Sequence, residues 1–152
     1  MLSAFAGALL FSCGEGNKTT SEGGDNKEAA VASVSDYDPN RGHGKWDESN
    51  VDVSKFDHAM AEEGKKIADV KCTSCHKATD ERLVGPGWKG VTEKHKPWWI
   101  MNFITDPDSM IDIDPELQSQ LEICLVRMPN QNLTDNDARA IVEYMREIDG
   151  AK

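Results

Sequence analysis

The sequence predicts an all-α domain of about 100 residues, and three observations carry that reading. No stretch alternates apolar and polar residues as a half-buried strand does. Four segments instead show helical periodicity, bounded by capping residues or prolines. Between the first two lies a long irregular stretch, Thr73 to Lys96. A connection of that length is uncommon in a compact domain unless something other than protein fills the middle.

The helices follow in order. The first is expected from about Phe56 to Val70, with Ser54 and Asp57 spaced as a capping box. The second starts at Pro97, a good first-turn residue, and carries "WWIMNFIT" to a stop before Pro107. The third begins at Asp114-Pro115 and runs to about Leu125. The last is the clearest: Thr134 caps it and Asp137 completes the box. Ala138, Ile141, Val142, Met145 and Ile148 then form one apolar stripe along it.

At 152 residues and a net charge of −10, the chain has room for one domain plus tails and lacks the basic surface that nucleic acid requires. No apolar run reaches the ~18 residues of a membrane-spanning helix. The cysteines are Cys13, Cys72, Cys75 and Cys124, too few for a disulfide scaffold. Residues 1–12, "MLSAFAGALLFS", read as a short signal peptide, and "LLFSC" resembles a bacterial lipobox. Cys13 is then the expected lipidation site, with membrane contact through the lipid anchor only. Residues 13–53 are rich in Gly, Ser, Asn and charge and read as a flexible tether. The 41 residues from Gly14 to Ser54 would have a mean reach of roughly 35 Å as coil. Tyr37 and Trp46 are the members of this stretch expected to lie against the folded part, residues 54–152.

The chemistry centres on "KCTSCH", residues 71 to 76. Zinc needs four ligands, and the remaining candidates, His43, His58, His95 and Cys124, are scattered. A dithiol switch belongs at a helix start within an α/β pattern, which is absent. Covalent haem fits better. Cys72 and Cys75 can form thioethers to the two vinyl groups, and His76 is placed to bind the iron. By chance the spacing would arise at roughly three in a thousand for this cysteine and histidine content. One haem c with its iron is therefore the expected cofactor, attached outside the cytoplasm. For the opposite axial position, Met60, Met101 and Met145 sit on helical faces as core residues do. Met110 follows a helix and stays a candidate. Met128, in the non-helical "RMPNQNLT" with Pro129 stiffening the approach, is preferred. His58 and His95 are weaker alternatives.

"EEGKKIADVKCTSCH", "LVGPGWKG" and "RMPNQNLTDNDARAIVEYMREI" together resemble class I monohaem cytochrome c, over the chain from about Phe56 to its end. The resemblance implies a cytochrome c fold, its helices wrapped around one covalently bound haem. It implies a close crossing of the first and last helices at Gly64, against Ile141, Tyr144 and Met145. It makes Pro86 the acceptor of the His76 Nδ1 proton and maps the iron-ligating methionine to Met128. It also implies that an indole N–H reaches a haem propionate, with Trp88, Trp98 and Trp99 as candidates. Lys94, His95 and Lys96 could pair with the propionates. The helix "DIDPELQSQLEICLV" is longer than small members have, and Cys124 on it reads as a small buried hydrophobe.

The implied function is periplasmic electron transfer, with no enzyme activity. Its partners would be redox proteins, a quinol-oxidising donor and a terminal reductase or oxidase as acceptor, with nitrous-oxide reductase as one instance. The competing class is a haem enzyme or gas sensor with an open, peroxidase-like iron. That class needs distal acid–base groups, and no histidine or arginine makes a convincing claim. Charge is also segregated along the chain. Between Gly64 and Lys96 stand eight Lys/Arg against four acids; between Pro97 and Val126 stand six acids and no Lys or Arg. The first segment carries the haem motif, so its lysines are expected around the exposed haem edge, facing an acidic partner.

Overall fold

The computed structural model describes residues 37–152, and in them six helices follow one another with no strand. They are α1 (His58–Lys71), α2 (Val91–Lys94), α3 (Pro97–Thr105), α4 (Pro107–Ile113), α5 (Pro115–Cys124) and α6 (Asp135–Ile148). The expected signal peptide, Cys13 and the first part of the tether lie outside the described residues.

Three helices begin with proline at the first turn, where the missing N–H costs nothing: Pro97, Pro107 and Pro115. Asp114 caps α5 by accepting from the backbone N–H groups of Glu116 and Leu117. Thr134 and Asp137 close the capping box of α6, as expected. At α1 the expectation needs correcting. The helix starts two residues later, and Asp57 is itself the N-cap, accepting from the Met60 N–H at 3.0 Å. Helices α2 and α4 were not expected. One is a single turn inside the irregular stretch; the other begins at the proline that ends α3, with Asp106 serving both helices.

The scaffold is the crossing of α1 and α6. Along α1 the buried positions are Ala61, Gly64 and Ala68, all small. A Cβ on Gly64 would stand 1.9 Å from the Ala140 carbonyl oxygen and 2.9 Å from the Ile141 nitrogen. Backbone meets backbone there, so only glycine fits. The opposing face of α6 supplies Ala138, Ile141, Val142 and Met145 to the core. Helix α3 packs on α6, and α4 and α5 extend from it as a second group.

Residues 37–53 were expected as tether, but they form a strap packed on the helices. Val51 is buried, and Tyr37, Trp46 and Val53 pack against the core. The receptor is Asn102, fully buried in the otherwise apolar α3. Its Oδ1 accepts from the Trp46 N–H at 2.9 Å, and its Nδ2 donates to the carbonyls of Arg41 and Trp46. Tyr37 hydrogen-bonds the buried Asp114 carboxylate, and Lys45 pairs with Asp135 at 2.6 Å. The strap's far end is tied to α6 through Glu143. This buried carboxylate accepts from the Asp57 N–H at 2.8 Å and pairs with Arg139 and Arg146. Those two arginines in turn donate to the carbonyls of Asp52 and Val53. Tyr37 and Trp46 pack as expected, and turn-rich composition concealed the rest, because many of the strap's bonds are made by its backbone.

Candidate functional site

The motif occupies the turn that ends α1. Cys72 is the C-cap, and the N–H groups of Cys75 and His76 both donate to its carbonyl at 3.0 Å. The chain then folds back on this turn. Val84 and Gly85 donate to the Cys75 carbonyl, and Trp88 donates to that of Lys77. The returning loop places Pro86 against the histidine, whose Nδ1–H donates to the Pro86 carbonyl at 2.8 Å. That bond fixes the tautomer and leaves Nε2 as the free ring nitrogen. A Cβ on Gly85 would stand 2.4 Å from His76 Cε1, so the ring lies flat on bare backbone. Trp88, buried, stacks with the His76 ring at 5.7 Å between centroids. Burial pushes the His76 pKa below its ordinary value, and the bond to Pro86 pulls only partly against it.

Cys72, Cys75, His76, Pro86 and Trp88 line a cavity of about 460 Å³. Its walls are largely apolar, with Val91, Ile100, Phe103, Ile104, Leu117 and Ile141 among them and Lys71, Lys94 and Glu116 also in the lining. A smaller cavity of about 110 Å³ adjoins it, sharing Cys75, His76 and Met128. The thioethers divide cleanly. Met128 lines both cavities and Met145 lines the larger one. Met110, kept as a candidate from the sequence, is fully buried elsewhere and accepts the His43 N–H at its sulfur, 2.8 Å away. Met101 is core.

The other expected residues are spread. Trp99 lines the larger cavity, stacked on His95 at 3.8 Å, whereas Trp98 lines neither. The buried Trp99 N–H lies near the Tyr37 hydroxyl of the strap without a close hydrogen bond, and the Gln120 carbonyl oxygen in the cavity lining has no partner. Lys94 and His95 both reach Glu116, the histidine at 3.5 Å. Burial is the larger influence on His95 and lowers its pKa. Cys124 is half-buried in the smaller cavity rather than fully enclosed. His58 is exposed, edge-on to Phe56. Asn102, Glu143 and Gln120 were not singled out in the sequence. The signal available was a lone amide inside "WWIMNFIT" and an acid within the apolar stripe of α6.

The donor set can be tested against a prosthetic group. Cys72, Cys75 and Cys124 form no disulfide with one another, and burial pushes the Cys72 thiol pKa up to about 11. A neutral, poorly nucleophilic thiol is the opposite of what a dithiol switch needs. Among the described residues no three His, Cys, Asp or Glu side chains gather as a metal cluster. A flat apolar macrocycle carrying two carboxylates does fit. The apolar walls and the histidine on its glycine cradle would receive it.

The comparisons agree. The family model for cytochrome c matches residues 61–149, and the chain belongs to that family. A cytochrome c from Rhodothermus marinus is 33% identical, over 63% of this chain and 82% of its own, with a TM-score of 0.61. An engineered cytochrome c from Rhodothermus marinus is 30% identical, over 70% of this chain and 87% of its own, with a TM-score of 0.59. A further structure of that engineered protein holds a carbene intermediate. No curated protein matches the chain. The fold is that of cytochrome c, its cofactor is covalently attached haem c with iron, and the family's activity is haem-based electron transfer.

Proposed function

We propose that this chain is a one-electron carrier whose haem is bound by Cys72 and Cys75 and ligated by His76 and Met128. The observation that carries the reading is the seating of His76. Its Nδ1–H is committed to Pro86, its face rests on Gly85, and it borders the cavities that Met128 also lines. The bound group supplies a reversible iron couple. The protein's part is to fix the histidine, exclude water with apolar walls, and raise the potential with a thioether. Met128 is favoured over Met145 because it lies on an irregular segment, whereas Met145 is locked into α6 against α1. Ligation by both His76 and Met128 would suit electron transfer and leave no place for substrate, unlike the peroxidase-like alternative.

The finer reading is a periplasmic protein lipid-anchored at Cys13. It would pass electrons from a quinol-oxidising donor to a terminal reductase or oxidase, nitrous-oxide reductase being one candidate acceptor. The support is the "LLFSC" sequence and the family; among the described residues no helix is long and apolar enough to cross a membrane. The test is Met128→Ala. Haem should stay covalently bound, the weak red-region methionine–iron band should vanish, and carbon monoxide should now bind the reduced protein. If Met145→Ala does this and Met128→Ala does not, the ligand assignment is wrong.

A further inference from the structure

The strap, residues 37–53, lies outside the family-matched residues 61–149 and supplies no residue to either cavity lining. It nevertheless touches two walls of the larger cavity at one side chain, Tyr37. The Tyr37 hydroxyl donates to Asp114 Oδ2, and its oxygen lies near the Trp99 indole N–H. Both partners belong to the interior: Asp114 is 3% exposed and Trp99 4%.

Each partner leads to the cavity. Oδ1 of Asp114 accepts from the Glu116 N–H at 2.7 Å and the Leu117 N–H at 3.1 Å. Glu116 and Leu117 line the cavity, and Glu116 in turn holds Lys94 and His95. Trp99 lines the cavity itself and stacks on His95. The strap meets Trp99 a second time at Gly42, where a Cβ would stand 3.1 Å from the indole Cδ1. Tyr37 therefore closes a ring of contacts that runs from α5 through Glu116 and His95 to α3.

A carboxylate buried this deeply depends on its donors. Those of Asp114 are two backbone N–H groups and the Tyr37 phenol. Burial and, after it, the bond to Asp114 push the phenol pKa well above its ordinary value, so Tyr37 keeps its proton and remains a donor. Removing the hydroxyl leaves the carboxylate less compensated beside the cavity and loosens a wall against water. Both effects favour the more positive, oxidised state of an iron held there.

We propose that Tyr37 is a positioning residue for the electron-carrying centre. By holding Asp114 and Trp99 it keeps the α5 and α3 walls closed and holds the reduction potential up. The strap is then part of the redox site without lining it. This rests on the electron-transfer reading above.

The experiment measures the midpoint potential of the haem-loaded full chain by spectroelectrochemical titration, beside its thermal melt. Tyr37→Phe keeps the ring and removes the hydroxyl. It should move the reduction equilibrium against a fixed mediator about threefold toward the oxidised form, near the lower end of what one hydrogen bond contributes. The haem should stay attached and the methionine–iron band should persist. Asp114→Asn removes the charge while its amide can still bond the Tyr37 oxygen, so it should move the equilibrium the opposite way. Lys45→Gln breaks the strap's exposed ion pair with Asp135, leaves Tyr37 in place and should not change the potential. A lower melting temperature for Tyr37→Phe at an unchanged potential would make the hydroxyl a stability device only and overturn the proposal. An equal shift in Lys45→Gln would overturn it too, by assigning the effect to general loosening of the strap. Failure of the electron-transfer reading shows itself separately, as absence of a reversible one-electron wave in the wild type.

Discussion

The two sides of the domain are held together by different means. The α1–α6 crossing is a contact of backbones and small or apolar side chains, closed at Gly64 against Ala140 and Ile141. The strap and the α3–α5 group are held by side chains that bond backbone: Asn102 to Arg41 and Trp46, Asp114 to α5, and Arg139 and Arg146 to residues 52 and 53. The first kind of contact fixes position through steric exclusion and tolerates almost no change. The second depends on individual polar groups, each worth a modest net amount but costly when orphaned. The motif turn hangs from the rigid side, while walls of its cavity such as Trp99 and Phe103 come from the other.

The largest expected effect is at the crossing. Gly64→Ala puts a methyl group into the Ala140 carbonyl, and no flexible side chain can move aside. The helices must separate, at a cost of about 3 kcal/mol or more, the upper end of overpacking effects. Chemical denaturation measures it; a loss below about 1 kcal/mol would mean the crossing adjusts more easily than the geometry says.

Glu143→Gln comes next, at the junction of the two sides. It removes one charge from a buried carboxylate between Arg139 and Arg146, and breaking such a group costs about 3 kcal/mol. Double variants with Arg139→Met separate pair energy from cavity effects. If the double variant is as stable as wild type, the cluster serves to orient the strap and adds no net stability.

How much of this was legible in the sequence follows the same division. Helix α6 announced itself because its cap, box and stripe are local, and α3 and α5 because proline marks their starts. Gly64 was also foreseen, although its closest contacts are Ala140 and Ile141 rather than the larger Tyr144 or Met145. The motif, its Gly85-Pro86 partner and the segment carrying Met128 lie in short stretches whose spacing is informative. Of the strap only Tyr37 and Trp46 were expected to pack, because much of its bonding is formed by backbone groups whose partners stand some 55 to 90 residues away. Helix α4 was missed because Pro107 signals both a stop and a start. Met110 was excluded only when its sulfur was found facing His43 and Gly42.

Asn102→Leu sharpens the comparison further. The leucine fills similar space but leaves the Trp46 N–H and the Arg41 and Trp46 carbonyls unpaired, costing about 2 kcal/mol. Hydrogen exchange should quicken across residues 37–53 while amides of α1 and α6 keep their protection. Equal quickening in both would show that the two sides open as one unit.

The smallest effect belongs to Asp149, where the chain beyond α6 reaches across to α2. Its carboxylate accepts from the Gly90 N–H at 2.6 Å, the Thr92 N–H at 2.9 Å and the Thr92 hydroxyl at 2.6 Å. Burial pushes its pKa up, but these accepted bonds outweigh burial and leave it below the ordinary carboxylate value. A carboxyl whose pKa is depressed on folding adds stability above its unfolded pKa, near 4, and that contribution fades as pH falls toward the folded value. Asp149→Asn should therefore cost about 1 kcal/mol at pH 7, as loss of a helix cap does. The gap between wild type and variant should narrow as pH falls below about 4, because the unfolded wild-type chain then takes up a proton that the folded carboxylate resists. Urea melts of both proteins at pH 7 and pH 3.5 decide the matter. A gap of the same size at both would assign the contribution to neutral hydrogen bonding rather than charge. It would also leave the link between α2, which lines the cavity through Val91 and Lys94, and α6 insensitive to acid.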